Sequence, residues 1–232
     1  MGATISSDIC AKIDHTFLKI DSDATISKLE EGAILVSQWN LRSFIVPPQL
    51  VRTTAKNYPN IRVGTVAGFP LGFETLAEKV FSCQQALEDG AQEVDVVLDL
   101  FALVNDNFKK IFQETDILCE LARRNNFAIK FILEMSILNR QQIEKAVEAC
   151  KKARAFAVKT GTGFCGRAVT TEEVVLLREL AGNELLVKAA GGINTLSQVQ
   201  ELISAGADII GASQTAKILS ELSKSSEEVN CQ

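Results

Sequence analysis

The segment AFAVKTGTGFCGRAVTTEEVVLLRELAGNELLVKA, residues 155–189, contains one complete unit of strand, loop, helix and strand. Its two ends, 155–160 and 185–189, are short apolar runs with the length of buried strands. The middle of the segment repeats an apolar side chain every third residue, at Val174, Leu177 and Leu180. Thr170 stands before this run and is followed by two acidic residues, as at a helix N-terminus. This order predicts two parallel strands joined by a helix.

The same unit recurs along the whole chain. We predict eight strands, at residues 12–16, 43–46, 61–68, 92–98, 127–134, 155–160, 185–189 and 208–211. Helical patterns lie between them, for example over 75–87 and after Asn139, a helix-capping residue. Eight strand–helix pairs in 232 residues predict a single-domain (β/α)8 TIM barrel over residues 1–222, with a short polar tail at 223–232. A doubly wound open sheet is the alternative, but no G-x-G-x-x-G follows the first strand.

Composition excludes several classes of function. The net charge of −5 provides no basic surface, so nucleic acid is not an expected partner. Six scattered cysteines and one histidine form no zinc-ligand pattern and favour reduced thiols, so we expect a cytoplasmic protein without a metal. No apolar run reaches the roughly 18 residues of a membrane span, and the first ten residues lack the features of a signal peptide.

Charged residues interrupt several of the predicted strands. Lys159 and Lys188 end otherwise apolar runs, Glu93 and Asp95 lie two residues apart in another, and Lys130 lies within a fourth. Strands that are buried on both faces normally consist of apolar residues, and a buried charge is costly unless it is paired. Each charge taken alone fits a structural ion pair as well as it fits a functional role. The set as a whole favours a functional site.

The two lysines at the strand ends indicate a specific chemistry. Lys159 and Lys188 lie late in neighbouring strands, where the catalytic face of a barrel lies. Two nearby ammonium groups repel each other, which favours the neutral form of one of them. A neutral lysine is the nucleophile that forms a Schiff base with a carbonyl compound.

Glycine-rich loops follow the strands that carry these lysines. They comprise residues 160–163, residues 191–192 and, after the last strand, residues 211–213. Backbone N–H groups in such loops and at helix N-termini bind phosphate in many barrels. Tight turns alone could account for one such loop. Three of them beside two lysines predict a phosphorylated substrate.

Six stretches of this chain together resemble the deoxyribose-phosphate aldolase family. They are residues 13–19, 68–72, 90–97, 158–164, 187–193 and 211–213, and the resemblance extends from Ile13 to about Ala216. It implies a lyase that cleaves 2-deoxy-D-ribose 5-phosphate reversibly to acetaldehyde and D-glyceraldehyde 3-phosphate, in the catabolism of deoxyribonucleotides. We expect no cofactor, because the Schiff-base lysine itself serves as the electron sink. The sequence leaves the oligomeric state open, with a homodimer or a homotetramer as the candidates.

The resemblance implies roles for individual residues. Lys159 matches the Schiff-base lysine, Lys188 the second lysine that lowers its pKa, and Asp95 the acid/base carboxylate. Residues that line or support the pocket are Asp14, Thr16 and Lys130, and the residues of the phosphate site are Gly163, Gly191, Gly192 and Ser213.

The sequence is compatible with two other functions. The chain departs from the usual family pattern at Pro47, Gly161 and Gln214, which lie in or near the loops that would contact substrate. A Schiff-base aldolase for a different phosphorylated sugar would share the barrel, Lys159 and the glycine loops. A non-catalytic barrel would share the fold only, and the set of Lys159, Lys188 and Asp95 argues against it.

Overall fold

Eight parallel strands close into a barrel in the order in which they occur in the chain. The computed structural model describes residues 7–19 and 25–230, with side chains as far as residue 225. The strands are β1 (Ile13–Thr16), β2 (Ser43–Ile45), β3 (Val63–Ala67), β4 (Glu93–Val97), β5 (Ala128–Ile132), β6 (Ala157–Lys159), β7 (Leu186–Ala190) and β8 (Ile209–Ala212). Strand β1 pairs with β8 and closes the sheet. The prediction of a (β/α)8 barrel is confirmed.

Helices follow the strands and surround the barrel. They are α1 (Ile26–Gln38), α2 (Val51–Asn57), α3 (Leu76–Glu88), α4 (Leu100–Val104), α5 (Phe108–Asn125), α6 (Arg140–Ala153), α7 (Thr171–Ala181), α8 (Leu196–Ser204) and α9 (Thr215–Asn230). Residues 7–10, before β1, are also helical. Two 3-10 turns, Pro48–Leu50 and Met135–Ile137, lie among these elements.

The predicted strands agree with the observed ones to within two residues at each end. The predicted boundary at residue 223, in contrast, does not coincide with the end of an element. Helix α9 passes through it and continues to Asn230, so residues 223–230 are helical and not a separate tail. Leu219 and Leu222 anchor the helix in the core, and the residues that follow include good helix formers such as glutamate.

Reciprocal capping boxes begin four of the helices in the described part of the chain. In α6 the Asn139 side chain accepts a hydrogen bond from the backbone N–H of Gln142, whose side chain accepts one from the N–H of Asn139. The same pattern begins α7 at Thr170 and Glu173, so both predicted helix starts are confirmed. Each box satisfies two backbone donors that a helix N-terminus otherwise leaves unpaired.

The strands divide their side chains between two environments. In β4, Val94 and Val96 point outward and pack in the hydrophobic core between barrel and helices. Glu93 and Asp95 alternate with them, and both are fully buried inside the barrel. Successive residues of a strand point to opposite faces of the sheet. The apolar face therefore holds the fold together, and the charges that interrupt the strands are brought together inside the barrel.

Candidate active site

Lys159 and Lys188 lie side by side at the C-terminal end of the barrel. Lys159 is the last residue of β6 and is paired in register with Lys188 of β7. Both ammonium groups contact the same oxygen, Oδ2 of Asp95, which accepts from Lys159 Nζ at 3.0 Å and from Lys188 Nζ at 2.8 Å. The approach of the two lysines that the sequence predicts is therefore observed, and a shared carboxylate lies between them.

Asp95 also accepts a hydrogen bond from a third lysine. Lys130 of β5 donates to Oδ1 of Asp95 at 3.0 Å. Burial raises the pKa of the Asp95 carboxyl, but the nearby ammonium groups of Lys130, Lys188 and Lys159 outweigh burial and hold that pKa well below its ordinary value. Asp95 is therefore a carboxylate over the whole range in which enzymes work.

Beneath these residues, toward the N-terminal end of the barrel, the ion pairs continue. Lys188 contacts Oδ2 of Asp14 at 2.6 Å, and Lys130 contacts Oε1 of Glu93 at 2.6 Å. Arg42 joins the two carboxylates, with distances of 2.6 Å to Asp14 and 2.9 Å to Glu93. The hydroxyl of Ser43 donates to Asp14 at 2.6 Å. We call the seven charged residues the axial cluster: Asp14, Arg42, Glu93, Asp95, Lys130, Lys159 and Lys188.

The charges of the axial cluster balance only when one lysine is neutral. Four cations and three carboxylates leave one excess positive charge when every group is ionised. A buried excess charge is unfavourable in a medium of low dielectric constant. Electrostatics therefore favours the loss of one proton, and the lowered pKa of Lys159 suits this lysine to lose it.

Burial is the largest cause of the lowered pKa of Lys159, which falls from an ordinary 10.5 to about 8. Asp95 opposes this shift, whereas the positive charges of Lys188 and Lys130 add to it. The repulsion from Lys188 thus acts in the direction that the sequence predicts, but it is not the dominant cause. At pH 7 roughly a tenth of Lys159 is the neutral amine, against about one part in several thousand at the ordinary pKa.

A pocket of about 140 Å³ opens above Lys159, at the mouth of the barrel. It is lined by Thr16, Leu18, Lys19, Lys159, Thr162, Gly163, Phe164, Ala190, Gly191, Gly192, Ile193, Asn194, Gly211 and Ser213. The pocket thus unites Lys159 with Thr16 and with all four residues predicted for the phosphate site. Asp14 and Lys130, in contrast, are fully buried below and support the pocket through the axial cluster.

Glycine is required at the rim of this pocket. Gly163 and Gly191 have φ angles of +79° and +112°, and a Cβ atom on Gly163 would lie 3.4 Å from the Cα of Gly191. A Cβ on Gly192 would lie 2.6 Å from the Cβ of Ala168, which leaves no room for a side chain. Close approach of the two loops places backbone atoms at the surface of the pocket. Ser213 completes the rim two residues before α9, near the positive end of its dipole.

Glu134 holds the loop that follows Lys159, a role that its position in the sequence does not reveal. Its carboxylate accepts from the backbone N–H of Thr162 at 2.9 Å and from the Thr162 hydroxyl at 2.6 Å. Glu134 itself has a left-handed backbone, with φ of 56°. In the sequence it is only another charge at the end of a strand.

Arg42 and Ser43 are also absent from the sequence-based site. Arg42 precedes β2, so it resembles an ordinary loop residue, and Ser43 is an unremarkable polar residue at a strand start. His15, the single histidine, donates from Nδ1 to the Thr215 hydroxyl at 2.9 Å, because that hydroxyl gives its own proton to the Ala212 carbonyl. Burial lowers the pKa of His15 to about 4, so its ring is neutral at physiological pH.

No group of three or more His, Cys, Asp or Glu side chains within the described residues is arranged to hold a metal ion. The three carboxylates of the axial cluster are all engaged by lysine or arginine. None of the helices described by the structure is long and apolar enough to cross a membrane.

A buried lysine of lowered pKa at the catalytic end of a barrel is suited to imine formation with a carbonyl compound. Residues 9–221 match the model of the DeoC/LacD family aldolases. The chain belongs to this family, whose members are lyases.

Individual relatives have similar lengths. A deoxyribose-phosphate aldolase of Caldicellulosiruptor saccharolyticus is 38% identical over 222 residues, covering 92% of this chain and 98% of that protein. One of Staphylococcus haemolyticus is 37% identical over 217 residues, covering 93% and 97%. The tetrameric deoxyribose phosphate aldolase structure from Aeropyrum pernix superposes with a TM-score of 0.86 at 29% identity, covering 94% of this chain and 92% of that chain.

Proposed function

We propose that this protein is a deoxyribose-phosphate aldolase, which cleaves 2-deoxy-D-ribose 5-phosphate reversibly to acetaldehyde and D-glyceraldehyde 3-phosphate. The observation that carries the proposal is the position of Lys159. It is the one lysine of the axial cluster that lines the pocket, and its pKa is lowered to about 8. The relatives that carry this name match nearly the whole chain.

The reaction begins with the neutral amine of Lys159. Its lone pair attacks C1 of the open-chain aldehyde, and loss of water gives a protonated imine. Asp95, at 3.0 Å from Nζ, accepts and returns the proton during this dehydration. The positive imine then serves as an electron sink, so no metal or organic cofactor is needed for this step.

Cleavage of the C2–C3 bond sends its electron pair to C2 and forms an enamine. The proton of the C3 hydroxyl is removed at the same time, and glyceraldehyde 3-phosphate leaves. Asp95 and Lys188 lie behind Lys159 and are fully buried. We propose that a water molecule carries the proton between them and the substrate. Protonation of the enamine at C2 and hydrolysis of the imine release acetaldehyde and regenerate Lys159.

The glycine loops suit the phosphate group of this substrate. Gly163, Gly191, Gly192 and Ser213 lie on the same pocket as Lys159. Backbone donors in such loops, together with a helix N-terminus, bind a dianion without a buried counter-ion. Phosphate bound there would direct the open chain of the sugar toward Lys159. We also propose that the enzyme acts in the cytoplasm and assembles as a homodimer or homotetramer.

Reductive trapping tests the proposal directly. The protein is incubated with acetaldehyde and cyanoborohydride, and the modified peptide is mapped by mass spectrometry. We expect one ethyl group on Lys159 and none in Lys159→Met. Labelling of Lys188 in the wild-type protein, or of no lysine, would contradict the assignment.

Two further measurements separate the alternatives. Substrate profiling should give the highest kcat/KM for 2-deoxy-D-ribose 5-phosphate. Preference for another phosphorylated sugar would leave the imine chemistry intact and overturn the substrate. Turnover should also survive EDTA, because the carboxylates of the axial cluster are occupied by cations. Loss of activity in EDTA that a divalent ion restores would indicate a metal-dependent aldolase.

A further inference from the structure

The axial cluster extends beyond the pocket to the opposite end of the barrel. Two chains of ion pairs diverge from Asp95. One runs through Lys130 to Glu93, with distances of 3.0 and 2.6 Å. The other runs through Lys188 to Asp14, with distances of 2.8 and 2.6 Å.

Both chains meet again at Arg42, which precedes β2 at the N-terminal side of the barrel. Its Nη1 donates to Oδ1 of Asp14 at 2.6 Å and to Oε1 of Glu93 at 3.0 Å, and its Nη2 donates to Oε2 of Glu93 at 2.9 Å. The guanidinium also lies 5.7 Å from the ring of Phe156. The planar fork of arginine is suited to holding two carboxylates at once.

We propose that Arg42, outside the substrate pocket and at the far end of the barrel, is a positioning residue that sets the charge balance of the reacting lysine through Asp14 and Glu93. The proposal rests on Lys159 being the lysine that forms the imine. Arg42 supplies one of the four positive charges of the axial cluster. Without it, three cations would face three carboxylates, and Lys159 would balance the cluster as an ammonium.

Charged groups surround both Arg42 and Lys159, the two ends of these chains of ion pairs. Arg42 is faced by Asp14 from β1, Glu93 from β4 and Lys130 from β5. Lys159 is faced by Asp95 from β4, Lys130 from β5 and Lys188 from β7. Arg62, which precedes β3, approaches Glu93 at 4.0 Å, but its side chain is 49% exposed, so water screens it.

The test compares the ionisation of Lys159 in four variants and the wild type. The variants are Arg42→Met, Arg42→Lys, Glu93→Gln and the double variant Arg42→Met/Glu93→Gln. The pH midpoint is measured from the rate of acetaldehyde trapping by cyanoborohydride. It is measured a second time, without substrate, from the NMR signal of 13Cε-labelled Lys159, assigned with Lys159→Met.

The expected shifts of the pH midpoint, relative to the wild type, differ in sign between the variants. Arg42→Met should move the midpoint up by about half a pH unit, and Glu93→Gln should move it down by a similar amount. The double variant removes one charge of each sign and should return close to the wild-type midpoint. Arg42→Lys keeps the charge and should keep the midpoint, although it loses the bidentate contact. A merely structural role for Arg42 would change stability or kcat without this pattern.

Arg62→Met is the matched control, because it removes an arginine beside the same Glu93 from an exposed position. Its midpoint should equal that of the wild type. The double variant keeps the wild-type excess of one positive charge, and each remaining charge keeps an ion-pair partner, so it covers the case in which Arg42→Met does not fold. Equal midpoints in Glu93→Gln, the double variant and the wild type would overturn the proposal. Failure of wild-type trapping at Lys159 would instead overturn the imine assignment, and the NMR titration would still decide the role of Arg42.

Discussion

Replacing Lys159 with methionine should abolish imine formation and at the same time stabilise the folded protein at neutral pH. The reason is the lowered pKa. The folded state binds the lysine proton with a pKa of about 8, whereas the unfolded chain binds it at 10.5. At pH 7 the fold therefore carries an ammonium group that it disfavours. The difference of about 2.5 in pKa corresponds to about 3 kcal/mol of unfolding free energy.

The stability gain of Lys159→Met should depend on pH. Between pH 8 and 10.5 the unfolded chain binds the proton and the folded protein does not, so the wild type gains stability as the pH rises. Methionine cannot titrate. Its advantage should therefore fall from about 3 kcal/mol at pH 7 to about 1 kcal/mol at pH 9.5.

Urea unfolding at both pH values, followed by far-ultraviolet circular dichroism, measures this difference. Lys130→Met is the matched control, since the same substitution is made in the neighbouring strand. Burial opposes protonation of Lys130, but Asp14, Asp95 and Glu93 outweigh it and raise its pKa. That variant should lose about 3–5 kcal/mol, because three buried carboxylates lose a shared cation. A Lys159→Met protein less stable than the wild type at pH 7, or one whose gain is equal at pH 9.5, would refute the reasoning.

Three further outcomes are expected. Lys188→Met should raise the pKa of Lys159 by about one unit and slow acetaldehyde trapping at pH 7 about tenfold, with recovery at higher pH; an unchanged pH profile would mean that burial alone sets the pKa. Gly192→Ala should raise KM for the phosphorylated sugar about tenfold, because its Cβ would displace the loop by contact with Ala168, while acetaldehyde trapping at saturation should change little. Equal losses in both assays would show that the substitution does not act through phosphate binding. Lys79→Met should lower the unfolding free energy by about 3–5 kcal/mol without changing the pH midpoint of trapping, because Lys79 lies outside the axial cluster, where it pairs with buried Glu114 and donates to the Val97 carbonyl at 2.7 Å. Thermal and urea denaturation measure this loss, and a variant of wild-type stability would contradict the prediction.

Much of the architecture can be predicted from the sequence because the strands and their helices carry strong local signals. The run 155–160 is too short for a helix and too apolar for a loop, and it does contain β6. A lysine at the end of such a strand must lie near the catalytic face of a barrel. The approach of Lys159 and Lys188 could therefore be predicted from the strands, whereas the role of Asp95 beside them is implied by the resemblance to the aldolase family.

The lower half of the axial cluster could not be predicted in this way. Glu93 is visible as a charge in a strand, but its partner depends on the stagger of the strands, which local sequence does not encode. Arg42 lies one residue before β2 and has the appearance of a loop residue. The same limit applies to Glu134, whose hydrogen bonds to Thr162 depend on a left-handed backbone at the end of β5.

The number of carboxylates around each lysine is consistent with the lowered pKa of Lys159 and with its proposed role as the nucleophile. Within the described part of the chain, Lys130 pairs with three carboxylates, Lys188 with two and Lys159 with one. All three are almost fully buried, so each pays a similar desolvation penalty as an ammonium group. At Lys130 the three carboxylates outweigh burial and raise the pKa, whereas at Lys159 the single carboxylate does not outweigh burial and the pKa is lowered. Lys159 is also the lysine of the axial cluster that reaches the pocket. Its position at the end of β6 therefore places an amine of lowered pKa at the pocket.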